Sequence, residues 1–174
     1  MPRNVIPADI RALLAADPHA ADRVRAVLSP ASDRPTITDP AGAANIFRPL
    51  LAGREDEALC VAGLDRRRRL IKVEILTIGS SGFTVVDPRQ IFRWAIGKCA
   101  RGADAILMAH NHPSGDPTPS QQDNDVTERV ARAGRVLGIP LLDHIVIGEG
   151  RTYRSYAADG TLPPWSSPGP GWTA

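Results

Sequence analysis

Hydrophobic residues recur along this chain at two spacings, and the switches between them divide it into elements. Near the start, Ile6, Ile10, Leu13 and Leu14 fall at helical spacing, and Val24, Val27 and Leu28 do so again after Asp17-Pro18. Ser29-Pro30 and Arg34-Pro35 break that pattern, so residues 1–35 are expected to form a short helical appendage. From Asp39 the apolar positions become denser. Asp39-Pro40 is expected to cap and open a helix reaching Phe47, since an amide in the first turn has no helical partner to lose. Residues 58–64 are a continuous run of small apolar side chains, short enough for a buried strand. Residues 70–78 alternate instead, with Ile71, Val73 and Ile75 expected on one face and Lys72 and Glu74 on the other. The Arg-rich stretch between the two strands makes them a hairpin. Asp87-Pro88 opens a second helix, with Ile91, Trp94, Ala95 and Cys99 along one side and Gly102 at its end. A buried strand over residues 105–109 follows. Ser120 then starts a helix that carries Val126, Val130 and Leu137 and stops at Gly138. Residues 141–147 read as a further strand and 152–155 as a short one. Residues 161–174, with Pro-Pro, Ser-Ser-Pro and Gly-Pro-Gly, are expected to be a flexible tail. The order of elements predicts the α/β class: a mixed β-sheet flanked by helices, in one domain over residues 36–160.

Composition adds mainly exclusions. At 174 residues, 43% hydrophobic and 23% charged, the chain suits one globular domain with a real core. Aromatics are only 5%, so Ala, Val, Ile and Leu must fill that core. No apolar run is long enough to cross a bilayer, and the Met-Pro-Arg-Asn start lacks the apolar stretch of a signal peptide. A cytoplasmic location with no membrane partner is expected. Cys60 and Cys99 form no CxxC pair, and two buried thiols are expected of them. Net charge is +2, from 21 basic and 19 acidic residues, which is little for a protein that binds nucleic acid by neutralising phosphates. The one dense basic run, the four arginines at 66–69, follows Asp65 between two strands, where a solvated turn explains it better than a phosphate patch.

Chemistry is concentrated in residues 109–125. Two of the four histidines, His110 and His112, stand two residues apart at the end of a predicted strand. Side chains at that spacing share a face, so both imidazoles can reach one ion. A Gly- and Pro-containing loop follows, and Asp123 lies one turn inside the next helix, facing back toward the strand end. Two neutral imidazoles and a carboxylate suit zinc, with a fourth position left for a water whose pKa the metal lowers to about 7. Singly, each residue has a plainer role. Ser120 and Asp123 are spaced as a capping box, and His110 alone would be an ordinary strand-end histidine. The set is more specific than its parts: His-x-His, seven residues, Ser, two residues, Asp. Asp143-His144 is a second tempting pair. Neighbours on a strand face opposite ways, so a structural hydrogen bond, or orientation of a ligand histidine, is expected there in place of a shared metal. Asn111 points away from its flanking histidines and reads as a loop stabiliser, and Asp116 and Asp125 read as surface charges.

That spacing resembles the JAMM (MPN+) metalloprotease signature. The longer string from His110 to Asp123, His-Asn-His-Pro-Ser-Gly-Asp-Pro-Thr-Pro-Ser-Gln-Gln-Asp, is similar to its bacterial RadC-like branch. So are Asp87-Pro88-Arg89 and Leu141-Leu142-Asp143-His144, and the likeness covers roughly residues 37–157. The resemblance implies a JAB/MPN fold of cytidine-deaminase-like architecture. It also implies one Zn2+ held by His110, His112 and Asp123, and hydrolysis of a peptide or isopeptide bond in a polypeptide substrate. The family's general base is a glutamate ahead of an apolar strand ending in Leu-Asp, and residues 57–65 match it with Glu57 in that place. A carboxylate at the mouth of a buried strand also needs a partner. Glu55 and Asp56 are close rivals. Ser120 is implied as a hydrogen-bond donor to the tetrahedral oxyanion. A zinc deaminase would need His-x-Glu and Pro-Cys-x-x-Cys, and neither is present. The alternative is a DNA-repair-associated protein that binds nucleic acid, or acts as a nuclease, through the same metal site. One departure bears on it: about 35 residues precede the matching part, too few for the helix-hairpin-helix region usual in RadC-like proteins. A second bears on the substrate contacts of the edge strand: residues 78–82, Ile-Gly-Ser-Ser-Gly, differ from the family's Arg-Gly-Thr stretch.

Overall fold

The computed structural model of the chain describes residues 34–79, 87–99, 102–163 and 166. The expected N-terminal helices, most of the expected tail and residues 80–82 lie outside the described residues. Eight elements follow one another: α1 (Pro40–Leu51), β1 (Glu57–Leu64), β2 (Leu70–Gly79), α2 (Pro88–Gly97), β3 (Ala105–Asn111), α3 (Gln121–Leu137), β4 (Leu141–Ile147) and β5 (Tyr153–Ser155). The strands form one sheet in the order β2-β1-β3-β4-β5. Only β3 and β4 run parallel, and α3 makes the crossover that a parallel pair requires. The fold is α/β, a five-stranded mixed sheet flanked by helices, as the order of elements predicts.

Both faces of the central strands are covered. Residues of α1 (Ala43, Phe47, Leu51) pack against Cys60, Ala62, Leu107 and Ala109 on one face. Residues of α2 and α3 (Ile91, Trp94, Val130, Ala131) pack against Val61, Ile106 and Met108 on the other. This is why β1 and β3 read as unbroken apolar runs. Cys60 and Cys99 are buried free thiols, one on each face. Among the described residues, no helix is long and apolar enough to cross a membrane.

Four local expectations need correction. Helix α1 opens as expected, with the Asp39 carboxylate accepting from the Gly42 amide at 2.7 Å, but it runs past Phe47 to Leu51. Pro49 forfeits one backbone bond near the helix end, while the buried Leu50 and Leu51 hold the last turn on the sheet. In β2, register shifts against β1 leave Ile71 and Leu76 as extra residues. Each bulge resets the alternation, so Ile71 packs on the α2 side while Val73 and Ile75 pack on the α1 side. Leu137 is 49% exposed and not part of the core stripe of α3. The left-handed turn at Gly138 (φ 70°) lets the Ile139 amide donate to Gly134 O at 2.9 Å, and Ile139 occupies the buried place instead. Helix α2 buries Ile91, Trp94 and Ala95 as expected, but it ends at Gly97, before Gly102, so Cys99 is buried just beyond the helix and not along it.

Candidate metal centre

Strand β3 continues two residues beyond its apolar run, which carries His110 into the sheet and leaves it 3% exposed. His112 follows just past the strand end, half-buried, with its amide donating to Ile147 O at 3.3 Å. The loop then returns to Ser120, the N-cap of α3. Ser120 and Asp123 do form a capping box: the Asp123 amide donates to Ser120 Oγ at 3.2 Å, and the Ser120 amide to Asp123 Oδ2 at 2.7 Å. Ser120 Oγ also donates to Asp123 Oδ2, at 2.6 Å. The same carboxylate meets both histidines, with Oδ1 at 3.2 Å from His110 Nε2 and Oδ2 at 3.4 Å from His112 Nε2. The two Nε2 atoms are 2.9 Å apart, and one ligand atom from each of the three residues lies within 4.8 Å of the others. Cap and cluster are thus one arrangement. The capping bonds fix the side chain whose oxygens the imidazoles face.

The donor set fits a divalent cation. His112 Nδ1 lies 2.7 Å from Asp116 O, and a carbonyl oxygen only accepts. Nδ1 therefore carries the hydrogen, and a neutral His112 turns a lone pair on Nε2 toward the cluster. Burial pulls the Asp123 carboxyl up, but the His110 and His112 rings in their protonated form, with the Ser120 hydroxyl, outweigh it and hold the group well below the carboxylate range. His112 is raised, chiefly by its bond to Asp123 and against the effect of burial, with the Glu57 charge adding to the rise. Lone pairs and an anion crowded together in this way call for positive charge between them. Two imidazole nitrogens and a carboxylate oxygen are ligands that zinc accepts.

Of the three neighbouring acids at the start of β1, the structure brings one to this cluster. Glu57 lines a small cleft with Leu59, His110, Gln122, Asp123, Val126 and His144. Glu55 is exposed, and Asp56 is tied to Arg54 through bonds of 2.9 and 3.1 Å. The antiparallel register places Leu59 opposite His110, so Glu57, two residues earlier, falls at the His112 end of the sheet. Asn111 strengthens that placement. Its Oδ1 accepts from the Ala58 amide at 3.0 Å, and its Nδ2 donates to Asp56 O at 2.9 Å, bracketing Glu57 from both sides. Asn111 therefore ties the end of β3 to the start of β1, and its side-chain bonds go there and not to the loop that follows it.

Residues 37–161 match the RadC-like JAB domain family. The chain belongs to that family. Similar proteins include a UPF0758 protein of Caldanaerobacter subterraneus, 39% identical over 127 residues that make up 73% of this chain and 53% of that protein. Another, from Symbiobacterium thermophilum, is 40% identical over 129 residues, 74% of this chain and 53% of the relative. A third, from Methanosarcina mazei, is 37% identical over 115 residues, 66% and 49% of the two chains. The chain spans about half the length of these curated relatives.

The remaining polar residues of this JAB domain sort by face. Asp143, 0% exposed, faces away from the cluster and accepts from the His144 amide, Ser155 Oγ and the Ala157 amide at 2.6–2.9 Å. His144 faces the cluster, its Nε2 2.9 Å from His110 Nδ1. Its backbone amide meets the Asp143 carboxylate, whereas its ring meets a histidine of the cluster. Tyr156 stacks on it with ring centres 5.1 Å apart. Burial holds the His144 imidazole well below its usual range, and the neighbouring His110 adds to that. Asp116 and Asp125 are exposed. Sequence reasoning missed Thr127, 1% exposed, whose Oγ1 is 2.6 Å from His144 Nδ1. Its signal was a polar residue between Val126 and Val130, one helical turn past Asp123, where a buried hydroxyl needs partners.

Proposed function

We propose that this JAB domain is a metal-dependent hydrolase, specifically a zinc metallopeptidase or isopeptidase acting on a polypeptide. The observation that carries the reading is the meeting of His110, His112 and Asp123 beside a cleft that Glu57 also lines. Zinc, when bound, supplies a polarised carbonyl and an acidified water. Glu57 takes a proton from the attacking water onto its carboxylate and returns it to the leaving amine nitrogen. Ser120 donates a hydrogen bond to the tetrahedral oxyanion. Its one hydroxyl proton points at Asp123 Oδ2, so this role requires the hydroxyl to turn once substrate is present, while the Ser120 amide keeps its own bond to that oxygen.

The nucleic-acid alternative draws little from the arginines at 66–69. They lie at the far end of β1 from Glu57, where Arg66 bonds Asp104 and Arg69 bonds Asp65. Zinc analysis and a peptide-library cleavage screen on wild type, Glu57→Gln and His112→Ala test the reading together. Expected are one zinc in wild type and in Glu57→Gln, cleavage by wild type alone, and no zinc in His112→Ala. Cleavage by Glu57→Gln at the wild-type rate, or salt-dependent DNA binding without peptide cleavage, would overturn it.

A further inference from the structure

We propose that Thr127 and His144 are positioning residues, a hydrogen-bond relay that locks His110 with its Nε2 lone pair turned to the metal. The inference rests on the metal reading above. It begins at an atom that can act in one way only. Thr127 Oγ1 lies 2.6 Å from Asp123 O, a backbone carbonyl, so the single threonine proton is committed there. Toward His144 Nδ1, 2.6 Å away, the same oxygen can then only accept, and Nδ1 must carry a hydrogen. His144 is 1% exposed, and its ring bonds go to Thr127 and His110, neither of them a carboxylate. A second ring proton would bury a charge with no counter-ion in contact, so Nε2 keeps its lone pair. His110 Nδ1, 2.9 Å from that lone pair, is therefore the donor. When the His110 ring carries a single hydrogen, that hydrogen is therefore on Nδ1, and Nε2 is bare, facing His112 Nε2 and Asp123 Oδ1.

The relay closes on itself. It starts at the carbonyl of Asp123 and ends on an imidazole that faces the carboxylate of the same residue. Helix α3, strand β4 and strand β3 each contribute one part, and Tyr156, stacked 13° from parallel, holds the plane of the His144 ring. Asp123 thereby serves the cluster twice, with its side chain directly and with its backbone through two intermediaries. A metal-bound histidine whose other nitrogen donates to a fixed acceptor is more basic and better oriented than a free one.

Long-range 1H–15N spectra of the histidine rings in metal-free protein, at mildly alkaline pH, read the tautomer of His110 without any activity measurement. The expected wild-type signature is a protonated Nδ1 and a bare Nε2. Thr127→Val removes the hydroxyl, so His110 should show mixed tautomers and zinc affinity should fall about 10- to 100-fold. Thr127→Ser should restore both. A His110 protonated on Nε2 in wild type overturns the relay even if Thr127→Val fails to fold, and so does a folded Thr127→Val with unchanged tautomer and zinc affinity. A wild type with the expected tautomer that binds no zinc overturns the hydrolase reading and leaves the relay standing.

Discussion

Asp65 and Asp123 sit toward the two ends of β1, and both carboxylates gather several hydrogen bonds. Asp65 accepts from the Arg67 and Arg69 amides at 2.8 and 2.9 Å, and from the Arg69 guanidinium at 2.8 and 2.7 Å. Asp123 accepts from the Ser120 amide and hydroxyl, and beyond these it faces two imidazoles at 3.2 and 3.4 Å. Both groups lie below the ordinary carboxylate range. Their partners differ in one respect that matters. A guanidinium always carries its charge, so Asp65 is permanently compensated and closes a turn. An imidazole can be neutral, and His112 has its far nitrogen tied to Asp116 O, so Asp123 confronts a lone pair as readily as a proton. The first carboxylate is finished by its own chain. The second lies in a group of side chains that could hold a metal ion.

The contrast breaks hardest at Asp123. Asp123→Ala should weaken zinc binding by more than about 100-fold and abolish hydrolysis, as should His112→Ala, since each removes a ligand outright. Zinc retained by Asp123→Ala would place the cation elsewhere and dissolve the comparison. Glu57→Gln comes next. It should keep the zinc of the wild type while turnover falls about 10²- to 10⁴-fold, the range for losing a general base. Ser120→Ala should also keep zinc, with turnover lowered about 100-fold by the lost oxyanion donor and stability lowered by about 1 kcal/mol through the lost cap. Zinc titration, a cleavage assay and chemical denaturation separate these three outcomes.

The cluster was legible because its geometry is local. A period of two puts His110 and His112 on one face, and Ser120-x-x-Asp123 fixes where a helix begins, so neither inference needed to know what packs against what. The illegible features all depend on distant partners. Ile71 changes face because β2 carries extra residues against β1, and an alternating sequence does not announce where its partner slips. Leu137 yields its place to Ile139 because the chain doubles back at Gly138. Asn111 and Thr127 gained their roles from Asp56, Ala58 and His144, residues set beside them only once the sheet order was fixed. Glu57 falls between these cases. Its neighbours Glu55 and Asp56 are close rivals in the sequence, and what sets Glu57 beside the cluster is the register with β3, while Asp56 is taken up by Arg54.

The smallest effect tests the other side of the comparison. Burial pulls the Asp65 carboxyl upward, and Arg69 with the two turn amides pulls it further down, leaving it below its ordinary 3.8 in the folded protein. The unfolded chain therefore takes up its proton first as pH falls. The stabilisation is complete above that ordinary value and fades as pH drops through the folded one. Asp65→Asn preserves size but gives up the charge, and at neutral pH it should cost about 1–2 kcal/mol, a partly solvated ion pair with its turn bonds being worth no more. In acid the wild-type and variant stabilities should converge, because the wild-type carboxyl is then protonated too. Zinc affinity should not change at all, since the turn lies at the opposite end of β1 from His110 and Asp123. Denaturant melts at neutral and acid pH, with a zinc titration beside them, check all three points. A variant that lost stability equally at both pH values would show that shape, and not charge, holds the turn. One that lost zinc as well would show that β1 couples its two ends, and the two carboxylates would then have to be read as one system.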